Sequence, residues 1–370
     1  MKVLFCSPYK VRPEVIGAGI KIWADNILQY YRTIKSDVEI IPASFDRRYY
    51  VSVDTNKLKR LLLGFKEYKG FIGNAIMLMD SAHCDVVHVC SSASFSLIKD
   101  YILVTAAKKK GIKSAVHFHF GRIPELSEKK NWEWKLLKRV INLADCIITM
   151  DNASYTTLCD LGYKNIKYCP NPLSTAIITQ IDSEYGTIKR EKNKLLFVGH
   201  VLASKGVFEL VDSCSRFDNI ELHIIGKAQE PVYSQLLKLS KRKDDGLWLK
   251  MRGEMPHEEV LREMQSATLF AFPSYTEGFP GVILEAMACG CPIVTTKVGA
   301  IPEMLDINGT NKYGICVNPK NADDFADGIK VMLDNPTFAL ECAKNAKQRV
   351  YEKYAVPVVW EQLSSIWKMI

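Results

Sequence analysis

Two glutamates, Glu277 and Glu285, stand in the stretch of this chain richest in chemistry: Pro273-Ser-Tyr-Thr-Glu-Gly-Phe-Pro-Gly-Val-Ile-Leu-Glu-Ala-Met-Ala-Cys-Gly-Cys-Pro292. The pattern predicts a strand end, a glycine-rich turn, a short helix and a stop. Gly278 and Gly281 flank Phe279-Pro280 and let a ligand approach the backbone closely. The helix opens near Gly281 and stops at Gly290, with Pro292 barring its continuation. Its free N-terminal amides and its dipole favour an anion, so a phosphate there is chemically sensible. Glu277 lies ahead of the helix and Glu285 in its first turns, so both can border one crevice at the carboxyl ends of parallel strands. The plainer alternative is a helix cap and a surface carboxylate.

Four further segments end strands with polar groups. Phe197-Val-Gly-His-Val-Leu-Ala-Ser-Lys-Gly206 reads as strand, loop and helix opening, with Gly199 and His200 in the loop. It sets Lys205 beside a helix N-terminus, where a lysine is a suitable point charge for a diphosphate. Gly17-Ala-Gly19 lies between the first strand and the next helix; Ile22 stands three residues after Gly19, so this is not the G-x-G-x-x-G of a dinucleotide site. Val116-His-Phe-His-Phe-Gly121 puts His117 and His119 on one strand face, and Arg122 follows within reach of an acceptor or a phosphate. A metal held by the two histidines lacks an evident third ligand. Met251-Arg-Gly-Glu254 follows another strand, and Lys227 could face a diphosphate, whereas Glu303 reads as a helix-capping residue.

The elements that position these residues alternate. Short apolar runs are separated by helix-period segments, the signature of parallel α/β architecture. Strands are expected near 3–6, 38–41, 85–89, 114–120, 146–149 and 167–169, then again near 195–198, 222–225, 247–251, 269–272, 292–296 and 314–317. With 370 residues, two domains are expected. Residues 1–170 form the first, 171–193 a polar, weakly periodic connection, and 194–355 the second. An amphipathic helix in 356–370 could cross back to the first domain.

Composition narrows the class. A hydrophobic share of 48% and a charged share of 24% are those of a globular protein. No apolar run is long enough to span a membrane, and the N-terminus reads as a buried strand rather than a signal peptide. The 11 cysteines are scattered without zinc-ligand spacing and read as reduced core thiols of a cytoplasmic protein. Residues 1–180 hold 26 Lys and Arg against 16 Asp and Glu, whereas the remainder holds 23 against 25. The first half therefore suits an anionic partner. Trp132 and Trp134 among Lys129, Lys130, Lys135 and Lys138 resemble a helix in peripheral contact with an anionic membrane at its cytoplasmic face. Ordinary burial of both tryptophans is the alternative. The basic clusters lack a nucleic-acid reading motif, so no nucleic-acid partner is expected.

The run from Glu277 to Pro292 resembles the GT4 family of retaining glycosyltransferases, whose hallmark is a Glu-x7-Glu motif in an "EGFP…EAMA.G.P" run. The resemblance is dense in the second half and scattered in the first. It implies the GT-B fold, two Rossmann-like domains facing each other across a cleft, and transfer of a sugar from a nucleotide diphosphate donor, UDP before GDP. The acceptor would be a glycan or lipid-linked glycan, as in bacterial cell-surface polysaccharide synthesis.

By resemblance, Glu285 would bind the ribose hydroxyls and Glu277 the donor sugar near the reacting centre. The amides of Gly278, Phe279, Gly281 and Val282 would line the sugar and the β-phosphate. Lys205 would share the leaving diphosphate with the residue at His200, where the family commonly has arginine; this chain has one permanent cation fewer. Gly17 and Gly19 would approach the donor phosphate, Gly199 would shape the phosphate loop, and Arg252 and Gly253 would hold the base. His119 would position and polarise near the sugar. No metal or other cofactor is expected. A nucleotide-sugar epimerase or phosphorylase-like enzyme on the same fold is the alternative, distinguished by needing no acceptor; a basic nucleic-acid-binding protein is a second.

Overall fold

The computed structural model describes residues 1–9, 19–44 and 57–370, without the side chains of 57–67. Gly17 lies outside the described residues. The chain divides into two units, Met1–Pro172 with Val356–Ile370, and Leu173–Ala355.

The first unit is built on a parallel sheet in the order β2 (Glu39–Ala43), β1 (Lys2–Cys6), β3 (Val86–Ser91), β4 (Lys113–Phe118), β5 (Cys146–Thr149) and β6 (Ile166–Tyr168). Side chains alternate between its faces. Val3 and Phe5 pack with Trp23, Ile27, Trp360 and Trp367 of helices Ile20–Thr33 and Val356–Met369. Leu4 and Cys6 pack with Met79, Leu103 and Leu137 of helices Lys57–Ser81, Ser96–Lys109 and Trp132–Leu143. Every residue of β3 and β5 is buried, as a sheet covered on both faces requires. The last helix of the chain thus completes the first unit, and truncating Trp360 or Trp367 to Ala would cost about 3–5 kcal/mol.

The second unit has a parallel sheet in the order β12 (Ile315–Val317), β11 (Ile293–Thr296), β10 (Leu269–Phe272), β7 (Lys194–Val198), β8 (Glu221–Ile225) and β9 (Leu249–Gly253). In order of occurrence this is 3-2-1-4-5-6, the Rossmann arrangement, whereas the first sheet is 2-1-3-4-5-6. The strand order reverses between β1 and β3 in the first unit and between β7 and β10 in the second. In parallel α/β sheets such a reversal point is where ligands commonly bind.

The segment 171–193 differs from an open connection. It contains the helix Thr175–Glu184, capped by Ser174, whose Oγ accepts from the Ile177 amide at 3.2 Å. That helix packs on helices His257–Ser266 and Gly281–Ala288 within the second unit. Only Ile181 of it is fully buried, so its apolar stripe is too short to stand out in the sequence. No helix among the described residues is long and apolar enough to cross a membrane. All 11 cysteines are free and all but Cys159 and Cys316 are buried; burial pushes the Cys6, Cys90 and Cys146 thiols up to about 12, which leaves them unreactive.

Candidate active site

The reversal point of the second sheet is where Lys205 and Glu277 meet. After β7 the chain passes Gly199 and the exposed His200, makes the 3-10 turn Ala203–Lys205, and enters helix Val207–Cys214 through Gly206. Gly206 has φ 68°, and a Cβ on it would lie 2.1 Å from the Pro273 carbonyl oxygen, so only glycine fits. This close approach, with the Tyr275 amide donating to the Ser204 carbonyl at 3.0 Å, locks the loop after β7 to the loop after β10. The consequence is a fixed charge pair: Lys205 Nζ stands 2.5 Å from Glu277 Oε1, and both side chains are largely shielded from water. A charge-assisted contact of this kind is short and geometrically specific.

The backbone behind Glu277 is held equally closely. Gly299, at φ 54°, lies so near that a Cβ would meet the Glu277 carbonyl oxygen at 2.3 Å. The Ala300 amide donates to the Gly278 carbonyl at 2.8 Å. Helix Gly281–Ala288 then opens without a side-chain cap; the Ile283 amide bonds to the Pro280 carbonyl at 3.1 Å, and the Gly281 and Val282 amides are left to a ligand. It stops at Gly290, where the Gly290 amide bonds to the Met287 carbonyl and the Cys291 amide to the Ala286 carbonyl, both at 3.0 Å. Inside the helix, Glu285 Oε1 lies 2.9 Å from Nε2 of His257. His257 opens its own helix, where the dipole disfavours positive charge, yet the bond to Glu285 raises its pKa above 6.5.

Other expected residues sit around this centre. The Phe279 ring is buried edge-on against Tyr354 at 5.7 Å, which leaves its backbone on the Gly278–Val282 turn. Gly253, at φ 70°, accepts from the Gly226 amide at 2.8 Å. Lys227 is exposed and its carbonyl accepts from Val201 at 3.0 Å. The Arg252 guanidinium is not directed at the Lys205–Glu277 pair. It lies 3.3 Å from Nδ1 of His223 and 3.7 Å from Glu263, beside the buried Lys194. Glu303 falls inside the short helix Ile301–Met304, which has no side-chain cap.

In the first unit, neutral rings gather at β3 and β4, beside a buried Lys99–Asp100 pair whose Lys99 Nζ donates to the Cys90 carbonyl at 3.1 Å. The His119 amide bonds to the Ser91 carbonyl at 2.9 Å, and its ring rests 4.0 Å from that of His117 and 4.5 Å from Trp23. His88 adds a third imidazole, 5.6 Å from His117, accepting from the Trp367 indole at 3.1 Å. Burial holds His88 down at about 3; burial first and neighbouring imidazoles second hold His117 and His119 well below the usual range. Among the described residues, no group of three or more His, Cys, Asp or Glu side chains is placed to hold a metal ion. Gly19 caps helix Ile20–Thr33 at φ 55°. Arg122 donates to Glu133 Oε1 at 3.0 Å.

Three residues at these strand ends escape a reading of the sequence. His257 lies 28 positions from Glu285, and only its place after the Arg252-Gly253 loop hints at a role. Trp23 and His88 come from elements that become neighbours of His119 only through the sheet order.

The chain matches two family models, "Glycosyltransferase Family 4" over residues 37–176 and "Glycosyl transferases group 1" over residues 179–349. It is 24% identical over 200 residues to the capsular polysaccharide biosynthesis glycosyltransferase CapM of Staphylococcus aureus, covering 51% of this chain and 49% of that protein. It is 29% identical over 161 residues to the N,N'-diacetylbacillosaminyl-diphospho-undecaprenol alpha-1,3-N-acetylgalactosaminyltransferase of Campylobacter jejuni, covering 43% and 40%. The chain thus spans about half the length of the curated relatives it matches. Among solved structures, Anabaena Alr3699/HepE in complex with UDP superposes with a TM-score of 0.71 at 17% identity, covering all of both chains. The two matched models, the residues from Glu277 to Pro292 and the pair of parallel six-stranded sheets agree: this chain belongs to the GT4-type glycosyltransferases of the GT-B fold.

Proposed function

We propose that the protein transfers a sugar, with retention at the anomeric carbon and without a metal ion, from a nucleotide diphosphate donor to a glycan or lipid-linked glycan. The observation that carries this is the Lys205–Glu277 pair at the β7/β10 reversal, beside the uncapped helix that bears Glu285. The donor diphosphate would take Lys205, with His200 beside it, and the amides of Gly278, Phe279, Gly281 and Val282. Glu285 would accept from the vicinal ribose hydroxyls, a task suited to an acceptor-only carboxylate. Glu277 would contact the sugar, and Gly253 with its loop the base. In the first unit, His119 would present a neutral imidazole to the sugar, and Gly17 and Gly19 would approach the donor phosphate.

The bond from the anomeric carbon to the phosphate oxygen breaks, and its electron pair goes to the diphosphate. The acceptor oxygen bonds to the same face of that carbon, and its proton passes to the leaving phosphate oxygen. The charge appearing on the diphosphate is what Lys205 and the helix amides stabilise. UDP is the favoured nucleotide, as in the Alr3699/HepE complex, and GDP the next. Cell-surface polysaccharide synthesis is the favoured setting, since the similar CapM is a capsular polysaccharide biosynthesis glycosyltransferase.

A panel of nucleotide sugars is incubated with candidate acceptors in chelator, following nucleotide release and the anomeric proton of the product. Acceptor-dependent release with unchanged anomeric configuration is expected. Release or isomerisation of the donor that ignores the acceptor would overturn the reading.

A further inference from the structure

Phe95 and Trp132 of the first unit form an exposed aromatic pair. They are 59% and 52% exposed, and their rings stack with centroids 5.3 Å apart. Each stands at the start of a helix, Phe95 directly before Ser96–Lys109 and Trp132 as the first residue of Trp132–Leu143, and these two helices pack together. The turn that presents Phe95 holds Ala93 and Ser94 at φ 67° and 54°, a left-handed conformation that side chains disfavour. Glu133, buried one residue beyond Trp132, fixes that turn. Its Oε1 accepts from the Ser94 amide at 2.8 Å, the Ser94 hydroxyl at 2.9 Å and Arg122 at 3.0 Å. Strained backbone anchored by a buried carboxylate marks this exposure as built rather than incidental.

The surroundings say what the pair faces. On the helix that follows Phe95, Ile98, Tyr101 and Ile102 are also exposed, an apolar strip on a molecule whose other large apolar residues are mostly buried. On the helix that follows Trp132, Lys135 and Arg139 repeat at three and seven residues, on the same side as Trp132, and Lys130 stands just before it; all three are exposed, whereas Lys129 is paired with Glu125 at 2.5 Å. Trp134 points the other way and is buried in the core, so the two-tryptophan face expected from the sequence is instead Trp132 with Phe95. Aromatic rings flanked by an apolar strip and a row of cations match the boundary of a bilayer that carries negative headgroups.

We propose that this face docks on an anionic lipid bilayer, with Phe95, Trp132 and the Ile98–Ile102 strip entering the headgroup boundary and Lys130, Lys135 and Arg139 pairing with lipid phosphates. The docking is independent of the donor chemistry, so it can fail while the transferase reading stands. The test is flotation of the full chain with phosphatidylcholine vesicles, with and without phosphatidylglycerol. Wild type floats with the anionic vesicles and is released by high salt. Phe95→Ser with Trp132→Ser, and separately Lys130→Glu with Lys135→Glu, each reduce flotation about ten-fold with unchanged thermal melts. Trp132→Phe still floats, but its remaining tryptophans are quenched less by brominated acyl chains than those of wild type. Wild type that ignores anionic vesicles, or both double variants floating undiminished, would overturn the proposal; so would self-association through this face in place of lipid binding.

Discussion

The strand ends of the two units use histidine in opposite ways. In the second unit, His257 is half exposed against Glu285, and that bond raises its pKa above 6.5. In the first, His119 is enclosed by Trp23 and His117, and burial drives its pKa well below 6.5. One residue type is thus shifted toward its protonated form beside a carboxylate and toward its neutral form among aromatic rings. The second unit is arranged to handle charge, with paired side chains and an open helix terminus. The first holds three neutral imidazoles at β3 and β4, and its charge at the end of β3 is a closed pair, Lys99 with Asp100, fully buried with Lys99 Nζ donating to the Cys90 carbonyl at 3.1 Å.

The contrast can be broken by substitution. The largest effect is expected at the donor site, at Lys205 of the charge pair and Glu285 of the adjoining helix. Lys205→Ala and Glu285→Ala each should reduce transfer about 100–1000-fold, the usual loss for one preorganised group, while circular dichroism and melting stay near wild type. Near-normal rates in both would remove the second unit from the chemistry.

Next comes the backbone that sets the pair. Gly206→Ala combines a left-handed φ with a collision against Pro273, so the second unit should lose roughly 1–3 kcal/mol in denaturant melts. Equal stability would show that the two loops are not locked as described.

Acid should distinguish the units. His88, His117 and His119 are neutral when folded and take up protons only when unfolded. Their contribution is therefore complete above pH 6.5 and is lost as pH falls below it, at up to about 1.4 kcal/mol per pH unit for each ring. Denaturant melts between pH 7 and 5 should show this slope, reduced by one proton in His117→Phe. A flat profile would place charge where the structure has none.

The smallest effect belongs to His257. The groups facing it are Glu285 on the adjacent helix and Glu258 on its own; Glu184, on the third helix of the group, is held by Arg262. Its folded pKa is raised, so the His257–Glu285 contribution is complete below pH 6.5 and is lost as pH rises through the folded pKa. If the pair aligns Glu285 for the ribose, nucleotide affinity weakens over the same interval, and His257→Gln removes that pH dependence with little change in kcat. Tighter binding in His257→Gln would mean that the pair masks Glu285 instead.

The sequence makes the two units unequally readable for the same physical reason. The twelve strands among the described residues are legible as short apolar runs, and Glu277 and Glu285 because their turn, helix and stop are contiguous. What escapes is what the sheets assemble from afar. Lys205 lies 72 residues from Glu277, and nothing local says that the two touch. Helix Lys57–Ser81 carries three glycines, which weaken its pattern. Arg252 follows a strand as a base-binding residue would, yet its pairing with His223 and Glu263 depends on a helix that packs alongside. Trp132 and Trp134 look alike in sequence, and only the helix face separates the exposed one from the buried one.

The most direct test of the account is the melting temperature of the protein with and without a nucleoside diphosphate, in wild type, Lys205→Ala and Glu285→Ala. At about 100-fold excess over Kd, wild type should rise roughly 5–10 °C, and both variants should lose most of that rise. An equal rise in all three would contradict the placement of the donor at the β7/β10 reversal.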